Sequence, residues 1–503
     1  MPRWDRQTDV LVVGCGFAGA KAAIAAHDEG AKVLILEKMP DPGGISVCSF
    51  GGVRVAKSAD AAFNYLRRTN GGTTPDDVLK TLAKGMQAMP AQLAKLARKL
   101  PVELSNREAH GNYPFDGYDT FAFVNVESIE GFDGAKAYPH VRGAPGGRLM
   151  FRFIEMCLEQ RGLKPLTRTS AEELIVEKGR IVGLVARSRG KRLAIRAKRG
   201  VVLACGGFEG NAALQKQFWS EQPVLNAAFR GNTGDGIRMA QSVGAGLWHM
   251  WHYHGSYGFK HTDPAYPFGI RTKRLPDWLP GAGPRGDVRM PWILVNRRGR
   301  RFSNEYDPYL QDTGARSLGR YDPLVQDYAA LPAWLIADAE GTKLYPFGRP
   351  TSNERGIAYE WSADNEAEIE SGILQRASSI EALAQAIGVP GHELASTIED
   401  WNAHCASQRD DDWGRPASSM MPILKPPFTY AAVWPIVSNT QGGPVHDARQ
   451  RVINVNGKPI AGLYAAGEIG SVFGHLYLSG GNIAECFVGG RIAGREAALR
   501  GRG

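Results

Sequence analysis

Hydrophobic and polar positions fall into two periods along this chain. An apolar, β-branched run at 10–13 leads into Gly14-Cys15-Gly16-Phe17-Ala18-Gly19 and then an alanine-rich stretch at 20–29. Gly30 closes that stretch, and a second apolar run at 32–36 ends at Glu37. Strand, turn, helix and strand inside about 30 residues make the βαβ unit of a dinucleotide fold. Alternation returns at 174–176 and 181–185 around Lys178-Gly179, which predicts a hairpin. Segment 192–195 extends that sheet, and 201–204 reads as a buried strand running into Cys205-Gly206-Gly207.

The middle of the chain differs. Prolines at 264, 267, 276, 280, 284 and 291 mark 262–291 as irregular. Helical patterns cover 363–386 and 393–408, and 410–427 is polar and proline-rich. Strand signals resume at 452–455 and 462–466, before a last helix at 483–499. The expected fold class is α/β. Residues 1–265 and 430–503 form a discontinuous nucleotide-binding domain, and 266–429 an inserted α+β capping domain.

Composition narrows the function. Of 503 residues 43% are hydrophobic and 22% charged, which excludes bulk disorder. The formal charge of +9 permits an anionic cofactor or substrate, but the basic residues are spread out, so no nucleic-acid partner is expected. Six cysteines, at 15, 48, 157, 205, 405 and 486, show neither C-x-x-C nor C-x-x-x-x-C spacing. A zinc ribbon and a thioredoxin-like pair are excluded, and a reducing compartment is expected. No run of 18 apolar residues predicts a spanning helix. The first strand begins too early for a signal peptide, so the expected location is the cytoplasm.

The glycine turn carries the first chemistry. Gly14 permits the tight turn, Gly16 admits a pyrophosphate close to main chain, and Gly19 lets helix pack on strand. The helix N-terminus holds phosphate charge, and Glu37 accepts ribose hydroxyls. Gly281-Ala282-Gly283-Pro284-Arg285-Gly286 repeats the spacing, but it follows no strand and opens no helix, so it reads as a loop. With one dinucleotide site, reducing equivalents pass to or from another, external acceptor or donor.

Further motifs occur in order: Gly43-Gly44-Ile45-Ser46 with Gly51-Gly52, Arg142-Gly143-Ala144-Pro145-Gly146-Gly147, Gly234-Asp235-Gly236, Gly299-Arg300-Arg301-Phe302-Ser303-Asn304-Glu305, Gly462-Leu463-Tyr464-Ala465-Ala466-Gly467-Glu468, and Ser479-Gly480-Gly481-Asn482. Over essentially its whole length the chain resembles the FAD flavoprotein family of fumarate reductases and 3-ketosteroid dehydrogenases. The resemblance implies a Rossmann-like FAD-binding domain of glutathione-reductase type, with the flavin ring at the domain interface. It implies cofactor contacts from Gly14, Gly16, Phe17, Ala18, Gly19, Glu37, Lys38, Gly43, Gly44, Ser46, Gly51, Gly52, Ala204, Gly206, Gly207, Asn211, Asp235, Gly467, Glu468, Gly481, Asn482 and Ile483. Members that attach FAD covalently place a histidine where Ile45 stands, so non-covalent FAD is expected.

The same resemblance separates two branches. Fumarate-type members carry arginines where this chain has Tyr309 and Leu478, and a histidine pair where it has Ser438-Asn439. Ketosteroid dehydrogenases carry N-E-x-x-P-Y, matched at 304–309, and a tyrosine four residues before a glycine, matched by Tyr477 and Gly481. The implied reaction is dehydrogenation beside a ketone of a hydrophobic, ketosteroid-like molecule. Tyr309 is the expected base. Tyr477 and the Gly481 N–H are expected to polarise the ketone, and Ser479 is a further candidate. Tyr113 and Tyr118 are possible additional pocket tyrosines. His249, His252 and His254 have no carboxylate or cysteine beside them in sequence, so an aromatic wall is expected rather than a metal. Two alternatives stay open. One is a fumarate- or urocanate-reductase-like enoate reductase, which needs cations such as Arg301 or Arg271. The other is a flavin electron-carrier subunit, which the long insertion disfavours. The substrate itself and the oligomeric state are not legible.

Overall fold

The structure, a computed structural model, describes residues 3–275, 288–306, 309–351 and 353–501. Its α/β architecture is built on an eight-stranded sheet. Strand Arg6–Val13 pairs in parallel with Val33–Leu36, Val10 opposite Val33, and with Lys191–Leu203, Val13 opposite Leu203. Pro459–Ala465 joins the other edge of Lys191–Leu203, also in parallel. Buried on both faces, these strands need the continuous apolar runs seen in the sequence. The segments read separately at 192–195 and 201–204 are one strand. The hairpin forms between Thr169–Glu177 and Arg180–Ser188. Lys178 and Gly179 turn it with positive φ at both positions, as a two-residue hairpin loop requires.

Helices Phe17–Asp28 and Gly481–Leu499 pack against each other and against this sheet. The approach is backbone to glycine. A Cβ at Gly490 would stand 2.5 Å from Ala18 O, and one at Gly494 2.1 Å from Ala22 O.

A second sheet of seven strands centres on Phe428–Val437. That strand crosses the expected return at 429–430, and Tyr257–Lys260 and Leu225–Asn226 join it from before residue 266. The sheet therefore reaches past both expected domain limits. The helical pattern at 363–386 is broken in two. Helix Glu366–Glu370 stops before Gly372, which has φ +79°; a short strand, Gln375–Ala377, follows. Ser379 then caps Ile380–Ile387 by accepting the Ala382 N–H at 3.1 Å. The pattern at 393–408 is realised as Gly391–Ser407.

Two pairings missing from the sequence analysis shape the site. Val53–Ala56, Val102–Glu108 and Phe121–Ile129 form an antiparallel sheet. Tyr253–His254 pairs with Asn439–Thr440, His254 opposite Asn439. The second glycine triplet, 281–286, lies outside the described residues, as do Asp307 and Pro308. Among the described residues no helix is long and apolar enough to cross a membrane.

Candidate active site

The turn after the first strand opens into a cleft of about 740 Å³. Gly14, Gly16, Phe17, Ala18, Glu37, Lys38, Gly43, Gly44, Ser46, Ala204, Gly206, Asp235 and Glu468 line it. Gly14 has φ +97°, and a Cβ there would sit 2.4 Å from Ala204 O, so a side chain is excluded twice over. Gly16 caps helix Phe17–Asp28 without a side-chain hydrogen bond, and Ser46 Oγ accepts the Phe17 N–H at 3.0 Å. The two Glu37 oxygens accept the Cys15 and Met39 N–H groups, each at 2.9 Å. Burial raises the Glu37 carboxyl against those main-chain bonds. Each oxygen keeps a lone pair for a hydroxyl. Lys38 is held by Asp235 and by Thr233 Oγ1, both at 2.7 Å. A cradle that a Cβ would fill, a helix N-terminus and a hydroxyl-accepting carboxylate fit a dinucleotide.

Phe17, Ile45, Ser46 and Glu468 also line a second cleft, of about 1460 Å³, so the two share a wall. Gly52, Tyr309, Tyr477, Ser479, Asn482 and Ile483 face it, with His254 and apolar Phe50, Phe123 and Ala227. The two phenols come from segments far apart in sequence. Their rings stand 5.8 Å and 4.2 Å from the ring of His254, which lies between them.

Tyr477 is buried beside the start of helix Gly481–Leu499. Its hydroxyl oxygen accepts the Asn482 N–H at 3.3 Å, which leaves its proton to be donated. Burial raises the phenol well above its ordinary range, so it stays neutral. Tyr309 is 2% exposed and stacks edge-on against Tyr113, at 5.9 Å.

Behind both phenols lies Asp312, fully buried. One oxygen accepts the Tyr113 hydroxyl at 2.5 Å and the Tyr477 N–H at 2.9 Å. The other lies 3.4 Å from His254 Nδ1 and 3.5 Å from His252 Nε2. Hydrogen bonds from these donors, with Arg316 nearby, overcome burial and hold the carboxyl well below its usual range. An ionised carboxylate only accepts, so His254 Nδ1 carries the proton. Burial lowers the His254 pKa, and its ring is neutral.

Several expected residues stand elsewhere. Gly481 does not offer its N–H to a ligand: the group donates to Leu478 O at 2.7 Å, closing the turn that starts the helix. Asn211 caps helix Ala212–Phe218 and donates to Thr233 O. Gly19, Gly51, Gly207 and Gly467 are not among the residues lining either cleft; Gly19 packs its helix on the first turn as expected, a Cβ there standing 1.9 Å from Gly14 O. Ser479 faces the cleft, and its main-chain oxygen accepts Arg54 Nε at 2.7 Å.

Of the three histidines only His254 lines the cleft. The ring nitrogens of His249 meet Ser471 O and Thr73 O, and His252 Nδ1 donates to Phe473 O. The aromatic wall is thus one imidazole. Arg301 is consumed by Glu305 and Asp410 in the second domain's core, whereas Arg271 does line the cleft, with Arg274 and Arg349. Sequence reasoning missed Asp312 and Arg349. Asp312 follows the N-E-x-x-P-Y motif closely enough to have been found, but Arg349 has no local signal.

Glu468 accepts the Thr440 N–H at 2.9 Å and approaches Asn232, which also binds Glu209. Burial pushes Glu468 up to about 7 and Glu209 well above the carboxylate range.

Known proteins resemble this chain in sequence and fold. The family model described as an FAD binding domain matches residues 9–483. The chain is 28% identical to an NADH:fumarate oxidoreductase of Klebsiella pneumoniae, over 98% of this chain and 48% of that protein. It thus spans about half the length of that relative. It is 28% identical to a 3-oxosteroid 1-dehydrogenase of Mycolicibacterium smegmatis, over 98% and 97% of the two chains. The solved 3-ketosteroid Δ1-dehydrogenase of Sterolibacterium denitrificans, in complex with 1,4-androstadiene-3,17-dione, superposes with a TM-score of 0.81 at 25% identity, covering 98% of this chain and all of that one.

Proposed function

The chain belongs to the FAD-binding domain family, and from that premise we propose that it oxidises or reduces a C–C bond beside the carbonyl of a hydrophobic ketone, as 3-ketosteroid dehydrogenases do. That it is an FAD-dependent oxidoreductase follows from the family. The ketone reading rests on one observation: Tyr309 and Tyr477 line a single cleft that shares a wall with the nucleotide cleft.

Held non-covalently in the smaller cleft by the Gly14-Cys15-Gly16 turn and Glu37, FAD would supply a two-electron acceptor or donor, with an external partner as the other end of the electron transfer. The chain's residues do the rest. Tyr477 donates its hydroxyl proton to the carbonyl oxygen, which makes the neighbouring C–H acidic. Tyr309 takes or returns that proton. His254, fixed by Asp312, fills the space between them. Gly481 has no part in polarising the carbonyl, because its N–H is already engaged.

A second reading, an enoate reductase, is favoured by the guanidinium groups of Arg271 and Arg349 in the same cleft. Anaerobic mixing separates the two. Bleaching of the yellow holoenzyme by a saturated 3-ketosteroid supports the ketone reading. Reoxidation of the reduced holoenzyme by fumarate or urocanate, with no response to the ketone, sinks it in favour of the second.

A further inference from the structure

Among the described residues, two cations in the larger cleft have no anion to answer them. Arg271 ends the strand Gly269–Arg271, and its main-chain oxygen accepts the Arg349 N–H at 3.0 Å, so the two residues lie side by side. Arg349 Nη2 donates to Gln311 Oε1 at 3.0 Å, and Arg271 Nη2 to Ala227 O at 3.3 Å. Arg271 Nε is buried with no hydrogen-bond partner. Among the described residues no carboxylate lies in ion-pair range of either side chain.

Several other arginines are paired: Arg301 with Glu305 and Asp410, Arg230 with Glu354, Arg300 with Glu393. Leaving Arg271 and Arg349 unpaired costs something. Burial pulls Arg271 down to about 10. Burial, then the charges of Arg271 and Arg274, pull Arg349 down to about 9. Both stay protonated at neutral pH, as neighbours of like charge in a partly desolvated cleft, an arrangement that an anionic ligand relieves. Neither is at position 309 or 478, where the dicarboxylate-reducing branch carries its arginines.

We infer that the substrate carries a carboxylate, bound by Arg271 and Arg349 in the cleft that Tyr477 lines. This rests on the proposed redox reading only for the carbonyl; the carboxylate follows from the arginines alone. Two sources present the same group: a remote carboxylate on a ketone skeleton, or the activating carboxylate of an enoate.

The test uses the oxidised holoenzyme. Flavin absorbance near ~450 nm reports binding at the cofactor. The probes are 3-oxo-4-androstene-17β-carboxylate and its methyl ester, then cinnamate and methyl cinnamate. A charge-assisted bidentate contact predicts that one acid binds at least about tenfold more tightly than its ester. That preference falls towards unity in Arg271→Met and in Arg349→Met, and returns in part in Arg271→Lys. Equal binding of acid and ester in both pairs, or a preference that survives both methionine variants, overturns the inference. A variant that loses its yellow colour is replaced by the lysine variant for the same ratio. Preference within the steroid pair places the carboxylate away from the reacting bond, and preference within the cinnamate pair places it on that bond. Selectivity without any redox response sinks the redox reading and leaves the carboxylate standing. Bleaching without selectivity does the reverse.

Discussion

Asp312 accepts the main-chain N–H of Tyr477 at 2.9 Å, from the helical turn whose first hydrogen bonds are accepted by Tyr309 O. One buried carboxylate therefore ties together the two loops that carry the phenols. It also orients His254 between them and binds Tyr113 behind them.

Replacing Tyr309 by phenylalanine removes the hydroxyl proposed as proton acceptor and keeps the ring. Tyr309→Phe is expected to keep FAD, seen in the ~450 nm band, and to lose about 10²–10⁴-fold in turnover. Unchanged turnover removes Tyr309 from the chemistry.

Tyr477→Phe is expected to lower kcat by about 10²–10³-fold with a smaller effect on KM, because the lost hydrogen bond strengthens as charge develops on the carbonyl oxygen. A change confined to KM would reduce Tyr477 to a packing residue. Gly481→Ala, which changes no donor used in the chemistry, is a poor probe here, since its Cβ would strike the Phe473 ring at 2.4 Å.

These phenols were legible before any coordinates because they sit in dense local motifs. The βαβ unit was legible for the same reason: Gly14, Gly16, Gly19 and Glu37 lie within one short stretch. The rest depends on distant pairing. His254 and Asp312 are 58 residues apart, and neither spacing nor pattern announces their contact. Arg349 reaches the cleft only because its N–H bonds to Arg271 O. Gly481 was misread because a glycine opening a helix offers an N–H in principle, and only the geometry shows that Leu478 O already takes it.

Asp312 has a folded-state pKa depressed below its ordinary value of ~3.9. Its stabilising contribution is therefore complete above that value and is lost as pH falls below it. Asp312→Asn is expected to destabilise the protein at pH 7 by about 3–5 kcal/mol. The variant should also lose less stability than the wild type between pH ~4 and ~2. Thermal melts across that range check it; parallel curves would exclude the carboxylate as the acid-sensitive group.

Glu468 behaves in the opposite sense. Its pKa is raised to about 7 by burial, so the folded state holds a proton that the unfolded chain releases near ~4.5. Stability is full below that value and declines as pH rises to 7, by about 1.4 kcal/mol per pH unit for one proton. Glu468→Gln should flatten that slope. Glu209, raised well above its ordinary value, and Glu485, raised to about 8, both by burial, add to the decline and carry it beyond 7. An unaltered Tm–pH profile in the variant contradicts this assignment.

Gly14→Ala places a methyl group 2.4 Å from Ala204 O at φ +97°. The expected product is a colourless protein, or one lowered by several degrees in Tm, measured by flavin-to-protein absorbance and by melting. A fully yellow variant of wild-type stability would show that the turn has slack.

The close packing of helices Phe17–Asp28 and Gly481–Leu499 has a mechanical consequence. Gly490 and Gly494 press directly on the backbone of Ala18 and Ala22, which leaves no room for one helix to slide along the other. The span between their two N-termini, one opening the smaller cleft and the other the larger, is thus gauged by the polypeptide rather than by whatever occupies it. A cofactor that reaches from one N-terminus to the other meets a ruler of set length.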